Sequence, residues 1–210
     1  MKKKFNNNSS EGTILPLIDQ FYTLQGEGFH AGKAAYFIRI GGCDIGCNWC
    51  DTKISWNPDF HNEVSVEEIL KNIKSNNADS IVVTGGEPSM YNLDYLCKVM
   101  KSNNIKTFIE TSGNHLLTGD WDWICLSPKT ANPPLIENFL IANELKVIIS
   151  EKKDFEWAEK CKKQVNQDCK LFLQPEWSNR KSITPVIVQY IKEKKDWNLS
   201  VQLHKYLGIQ

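Results

Sequence analysis

Residues 35–50 read AYFIRIGGCDIGCNWC: a run rich in aromatic and β-branched residues that breaks on two glycines into three cysteines spaced C-x3-C-x2-C. The run predicts a strand over Ala35–Ile40, and the glycines mark the turn at its carboxyl end. The same grammar recurs downstream. Ile81–Thr84 runs into Gly85-Gly86-Glu87-Pro88, Thr107–Thr111 into Ser112-Gly113, Trp123–Leu126 into Ser127-Pro128-Lys129, and Leu171–Leu173 into Gln174-Pro175. Leu145–Ile149 is another strand of the set, and Leu199–Leu203 a weak last one.

Between these runs the apolar residues fall at helical spacing. Ser65 with Glu68 forms a capping box that opens a helix over Val66 to about Asn76. Leu93, Leu96, Val99 and Met100, then Phe155, Ala158 and Cys161, then Ile187, Val188, Tyr190 and Ile191, mark three more. Strands alternating with helices predict an α/β fold with a parallel sheet, since a crossover helix returns the chain for the next parallel strand. About six strands are too few to close an eight-unit barrel, so an incomplete, TIM-like β/α barrel is expected. Its site belongs at the carboxyl ends of the strands, where the glycine-rich and polar corners gather.

Composition limits the alternatives. The 210 residues suit one domain, with 1–13 expected as a flexible tail and 14–210 as a single core. Lys plus Arg and Asp plus Glu each number 25, which excludes a whole-surface basic grip on nucleic acid or anionic lipid. No apolar run approaches the ~20 residues of a membrane span. Met1–Ser10, MKKKFNNNSS, lacks the apolar stretch of a secretory signal, so a cytoplasmic protein is expected. Seven cysteines, an odd number, disfavour a disulfide scaffold. Cys97, Cys125, Cys161 and Cys169 are expected in the core, and His30, His61 and His115 in structural or exposed positions.

Cys43, Cys47 and Cys50 are different, because their tight spacing on a glycine-bearing loop suits one small metal centre. Thiolates favour zinc or iron-sulfur. Structural zinc wants four protein ligands, and no second zinc knuckle follows. A 4Fe-4S cluster on three thiolates keeps one iron open for chemistry.

C-x3-C followed by x-aromatic-C, with Trp49 as the aromatic, resembles the signature loop of the radical S-adenosylmethionine enzymes. Phe21-Tyr22-Thr23-Leu24-Gln25-Gly26-Glu27-Gly28, Phe37-Ile38-Arg39, Asp51-Thr52, Thr84-Gly85-Gly86-Glu87-Pro88, Ser127-Pro128-Lys129, Gln174-Pro175 and Gln202-Leu203-His204-Lys205 extend the match. Together they resemble the 7-carboxy-7-deazaguanine synthase family from about residue 16 onward.

That resemblance implies a lyase acting in queuosine-type base biosynthesis. It would contract the ring of 6-carboxy-5,6,7,8-tetrahydropterin to 7-carboxy-7-deazaguanine with loss of ammonia, using a 4Fe-4S cluster, S-adenosylmethionine and Mg2+. A 5'-deoxyadenosyl radical would remove hydrogen from C6 of the pterin and later recover it. A flavodoxin- or ferredoxin-like electron donor and a homodimer are also implied.

By the same resemblance Cys43, Cys47 and Cys50 hold the cluster, and Trp49, Gly85, Gly86, Glu87, Glu110, Ser127, Pro128, Lys129, Gln174, Pro175 and Glu176 bind the cofactor. Thr52 is the magnesium ligand. For the substrate, Gln25 with neighbouring Leu24 and Gly26 reads the pterin edge, because an amide both donates and accepts. Glu27 accepts from the guanidine-like N–H groups, and Arg39 pairs the carboxylate in a way Lys cannot. Thr84 adds a hydroxyl, and His204 and the carboxylate of Gln210 are expected to close the pocket.

Ala34 and Asp44 depart from the family pattern, which favours Pro and Asn there. Two rival functions share parts of the signal: activation of a glycyl-radical partner, and a zinc-stabilised binding module without catalysis.

Overall fold

A computed structural model describes residues 11–210. Nine strands form one sheet: β1 (Ile14–Leu24), β2 (Ala34–Ile40), β3 (Asn62–Ser65), β4 (Ser80–Gly85), β5 (Lys106–Thr111), β6 (Trp123–Leu126), β7 (Glu144–Ile149), β8 (Lys170–Pro175) and β9 (Trp197–Leu199). Their order is β3-β1-β2-β4-β5-β6-β7-β8-β9, and pairing from β2 through β9 is parallel throughout. The sheet curls without closing, a partial TIM-like barrel.

Among the described residues six α-helices accompany it: α1 (Val66–Ser75), α2 (Asp94–Ser102), α3 (Ile136–Ile141), α4 (Asp154–Lys162), α5 (Arg180–Glu193) and α6 (Leu203–Leu207). Half of the expected capping box is present: Ser65 Oγ accepts from the Glu68 N–H at 3.2 Å, while no return bond from the Ser65 N–H to the Glu68 carboxylate is formed. Strand alternation then sorts side chains onto two faces. Ile38, Ile40, Ile81, Val83 and Ile109 pack beneath α1 and α2, while Leu145, Val147, Ile149, Leu171 and Leu173 pack beneath the later helices. The opposite face turns Arg39, Thr84, Glu110, Lys146 and Gln174 into the barrel interior, where they line one cavity.

Three features differ from expectation. β1 and β3 are antiparallel additions at one side of the sheet, and along β1 only Leu15 and Leu17 are buried, so it mixes apolar and polar residues. The weak strand at 199–203 is instead a strand ending at Leu199 and a helix beginning at Leu203. The short helix α3 carries exposed Ile136, Leu140 and Ile141, so it lacks the one-sided pattern that would have marked it. Within the expected tail, residues 1–10 lie outside the described residues, and the Thr13 carbonyl already accepts from the Val66 N–H at 2.9 Å.

Two segments without strand structure shape the site. The connection from β1 to β2 folds under the barrel, stacking Phe29 on Trp123 and His30 on Phe108 with ring centroids 4.8 Å apart in each pair. The carboxyl-terminal segment then crosses the open edge, where the Leu203 N–H donates to the Gly26 carbonyl at 2.8 Å. No helix among the described residues is long and apolar enough to cross a membrane.

Candidate functional site

The strands' carboxyl ends surround a cavity of about 580 Å³. Every sequence-predicted site residue lines it except Pro128, which is buried behind Ser127 and Lys129. The three thiols stand half-buried on one wall, all free. Burial raises the Cys43 and Cys47 thiols above their ordinary pKa, opposed by the Ile45 and Gly46 amides at Cys43 and chiefly by Lys129 at Cys47.

Those amides and that cation favour thiolate, the form that binds metal. Among the described residues no three His, Cys, Asp or Glu side chains converge on one ion position. Three free thiols on one glycine-bearing loop, all lining the cavity, are the soft donor set of an iron-sulfur cluster and one ligand short of a structural zinc site. The residues present therefore fit a 4Fe-4S cluster.

Backbone without side chains brings the next corner close. A Cβ on Gly86 would collide with the Gly42 carbonyl, and Gly85 sits at φ +121°. Glu87 binds this corner to the next strand. Its buried carboxylate accepts from the Ser89 N–H (3.0 Å) and hydroxyl (2.7 Å), from the Thr111 hydroxyl and from the Ser112 N–H (2.8 Å). Glu176 is similarly occupied by Ser178 and the Asn179 N–H. Both carboxylates thus shape the wall and leave ligand contact to backbone and neighbouring groups. Lys129 Nζ donates to the Ser127 carbonyl and hydroxyl at 2.7 and 2.8 Å and lies 5.5 Å from the Trp49 ring centroid.

The floor is charged. Lys146 Nζ pairs with Glu27 at 2.5 Å and Glu110 at 2.8 Å, with its side chain 3% exposed. Gln25 completes the group, donating to Glu110 at 2.8 Å and accepting from the Glu27 N–H at 3.0 Å. Burial pushes the Glu27 carboxyl up, but Lys146, Gln202 and Gln174 outweigh it and hold its pKa at about 2. Burial likewise opposes the Lys146 charge, yet the facing carboxylates keep its pKa well above that of ordinary lysine. Two carboxylates around one ammonium leave a net negative floor, suited to a ligand edge rich in N–H donors.

On the side wall Arg39 is braced by Asp19, which takes Nε at 2.6 Å and one terminal nitrogen. A guanidinium has five N–H donors, so the remaining ones face the cavity ready-oriented. Thr52 Oγ1 donates to Asp51 at 3.2 Å, and Asp51 pairs with Lys205 at 2.8 Å. His204 lies against Gly26, where any Cβ would strike its ring, and the Gln210 carbonyl accepts from the Thr23 hydroxyl at 3.2 Å.

Lys146 and Trp177 also line the cavity and were not singled out in the sequence, and Gln202 and Lys205, which belong to the matching run at 202–205 but carried no assigned role, line it as well. For Lys146 a signal was available: it is a cation inside the strand ELKVII, at the inward phase of the alternation.

Comparison with known proteins agrees with this architecture. The family model for the Radical SAM superfamily matches residues 37–166. A 7-carboxy-7-deazaguanine synthase of Flavobacterium psychrophilum is 50% identical, covering 95% of this chain and 94% of its own. One from Synechocystis is 43% identical, with 93% of each chain covered. The crystal structure of QueE from Escherichia coli superposes with a TM-score of 0.80 at 29% identity, covering 91% of this chain and 95% of that one.

Proposed function

Since this chain belongs to the radical SAM superfamily and, within it, to the 7-carboxy-7-deazaguanine synthase family, we propose that its cavity contracts a carboxytetrahydropterin to 7-carboxy-7-deazaguanine with loss of ammonia. The observation that carries the substrate is the floor: Glu27 and Glu110 share one ammonium, leaving acceptor capacity and negative charge for the 2-amino-pyrimidinone edge of a pterin, so Glu110, expected from the sequence on the cofactor, is read here on the substrate.

Cys43, Cys47 and Cys50 hold the 4Fe-4S cluster. When bound, the cluster and S-adenosylmethionine supply the electron and the radical chemistry that no side chain provides. The chain's own residues hold, orient and enclose. Gly85 and Gly86 let backbone approach the methionyl part of the cofactor, while Glu87 fixes that corner by its four hydrogen bonds. Trp49 and Lys129 flank the adenosyl part, with Ser127, Gln174, Pro175 and Glu176 along the wall. Gln25, already oriented by Glu110, reads the pterin amide.

Arg39 takes the substrate carboxylate with the donors Asp19 leaves free, and Thr84 adds a hydroxyl beside it. The hydroxyl of Thr52, next to the Asp51 carboxylate, is the protein ligand for Mg2+, which favours oxygen donors and retains water. His204 and Gln210 close the open edge and exclude solvent. A flavodoxin- or ferredoxin-like protein is the electron donor, and the enzyme works as a cytoplasmic homodimer.

The test is anaerobic incubation of reconstituted protein with the carboxypterin, S-adenosylmethionine, reductant and Mg2+, followed by mass analysis. A product lighter than the substrate by one ammonia is expected. Cofactor cleavage without that product would refute the substrate, and one zinc per chain without sulfide would refute the cluster. Glycyl-radical activation and zinc-module readings gain no support, since synthase relatives cover 93% or more of the chain.

A further inference from the structure

Three successive carbonyls at the stem of the cysteine loop, those of Ile40, Gly41 and Gly42, each accept a donor from residues 86–91. The Gly86 N–H donates to Ile40 at 2.7 Å and the Glu87 N–H to Gly42 at 2.8 Å. The middle carbonyl, that of Gly41, receives no backbone donor among the described residues, and the Tyr91 hydroxyl reaches it at 2.7 Å. One side chain thus completes a set of bonds that the backbone leaves open at its centre.

That hydroxyl is firmly placed. Tyr91 follows the short turn Pro88–Met90, where its N–H donates to the Pro88 carbonyl at 3.1 Å and its own carbonyl accepts from the Thr118 hydroxyl at 3.2 Å. Its ring packs against the core beneath α1 and α2. Stem and ring lie so close that a Cβ on Gly42 would strike the hydroxyl. Burial, with the Asp59 carboxylate adding to it, pushes the Tyr91 pKa up to about 12, so the hydroxyl keeps the proton that it donates.

On its other side the stem meets the returning limb of the loop, with the Gly42 N–H on the Ser55 carbonyl at 2.5 Å and the Cys43 N–H on the Trp56 carbonyl at 3.3 Å. Cys43, Gly86 and Glu87 line the main cavity, while Tyr91 stands behind them. Tyr91 therefore holds the spacing between two parts of the wall, the first cluster ligand and the glycine corner of β4.

We propose that Tyr91 is a positioning residue for the cofactor: through the Gly41 carbonyl its hydroxyl sets Cys43, and the cluster that Cys43 holds, at the spacing from Gly86 that S-adenosylmethionine spans. The role rests on the reading of Cys43 as a cluster ligand and of residues 85–87 as the methionyl site. Tyr91 itself touches neither cofactor nor pterin.

Tyr91→Phe removes the bond and keeps the ring. The reduced, reconstituted protein is titrated with S-adenosylmethionine and followed by electron paramagnetic resonance, in which the cluster signal changes as the cofactor binds. In Y91F the concentration for half-conversion is expected to rise about tenfold, with iron per chain and the KM for the pterin unchanged. Amide exchange over 40–43, measured before the cofactor is added, is expected to be several-fold faster. Tyr95→Phe is the matched control. It removes a hydroxyl of the same kind from α2, where that group donates to Glu67 at 2.6 Å, and neither readout is expected to move.

Should Y91F fail to assemble, 3-fluorotyrosine placed at position 91 alone keeps the ring and the bond and makes the hydroxyl a stronger donor. The titration is then expected to shift the other way, by about twofold. A titration of Y91F that matches the parent, an equal shift in Y95F, or no shift with the fluorinated ring would overturn the role. A parent protein whose cluster signal does not respond to S-adenosylmethionine would refute instead the reading on which the role rests, so the two failures are told apart.

Discussion

At the rim of the cavity three thiols lie within one stretch from Cys43 to Cys50 and remain half-exposed, whereas at the floor Lys146 reaches a partner 119 residues away and is 3% exposed. The rim is local chemistry on a glycine-bearing loop, and its charge is meant to be supplied by metal. The floor is a non-local ionic group that is complete within the protein. Losing one rim ligand should therefore remove chemistry and spare the fold, while losing one floor ion should damage both.

The largest effect tests the first half of that contrast. Cys47→Ala is expected to abolish product formation and the visible absorption of the reconstituted cluster, with far-UV circular dichroism unchanged. A variant that turns over at the parental rate would remove Cys47 from the ligand set. Lys146→Met tests the second half. It leaves Glu27 and Glu110 buried without a cation, and breaking such a pair costs about 3–5 kcal/mol. Urea denaturation should show that loss, and adding Glu27→Gln should recover part of it. Equal stability of Lys146→Met and the parent would mean that the floor is wetter than its burial indicates.

A smaller effect concerns the edge between rim and floor. Burial lowers the His204 pKa, with Glu27 opposing and Lys205 reinforcing the shift, so the docked ring resists protonation. Its contribution is full above the unfolded value of about 6.5 and is lost as pH falls from there toward the lowered value. Amide exchange over 203–207, corrected for intrinsic rates, should be several-fold faster at pH 5.5 than at pH 7.5. A pH-independent corrected rate would show that His204 does not hold the segment.

The smallest effect returns to the rim. Asp44 pairs with His115 at 2.8 Å and accepts from Asn114 at 3.2 Å, with more than a third of both ion-pair side chains exposed. Such pairs are worth about 0–1 kcal/mol. Asp44→Asn should accordingly shift stability by less than about 1 kcal/mol, and a larger change in the midpoint would make the pair a structural anchor.

The same contrast explains what could be read from sequence. Rim groups announce themselves because ligand, turn and strand end are contiguous: AYFIRI, then GG, then the cysteines, and likewise Thr84 through Pro88. Parallel strands of alternating phase were legible for the same reason, each strand carrying its own signal. The floor was only half legible. Gln25 and Glu27 stood in a recognisable run, but Lys146 acquires meaning only when β7 is set beside the β1–β2 connection. Glu87 was read as a ligand group because sequence shows a carboxylate at a corner and not the four donors that occupy it. The antiparallel β3 was missed because a four-residue edge strand buries little, and β1 because it keeps mixed polarity although it is paired on both sides.

Gly26 receives the His204 ring, its carbonyl takes the Leu203 N–H, and the adjoining Glu27 takes the Gln202 amide at 3.0 Å. Segments at opposite ends of the polypeptide are thereby fitted to each other as closely as lock wards to a key. Anyone assembling chimaeras from related proteins would have to transplant residues 25–33 and 202–205 as a unit, because either one grafted alone would meet a mismatched counterpart.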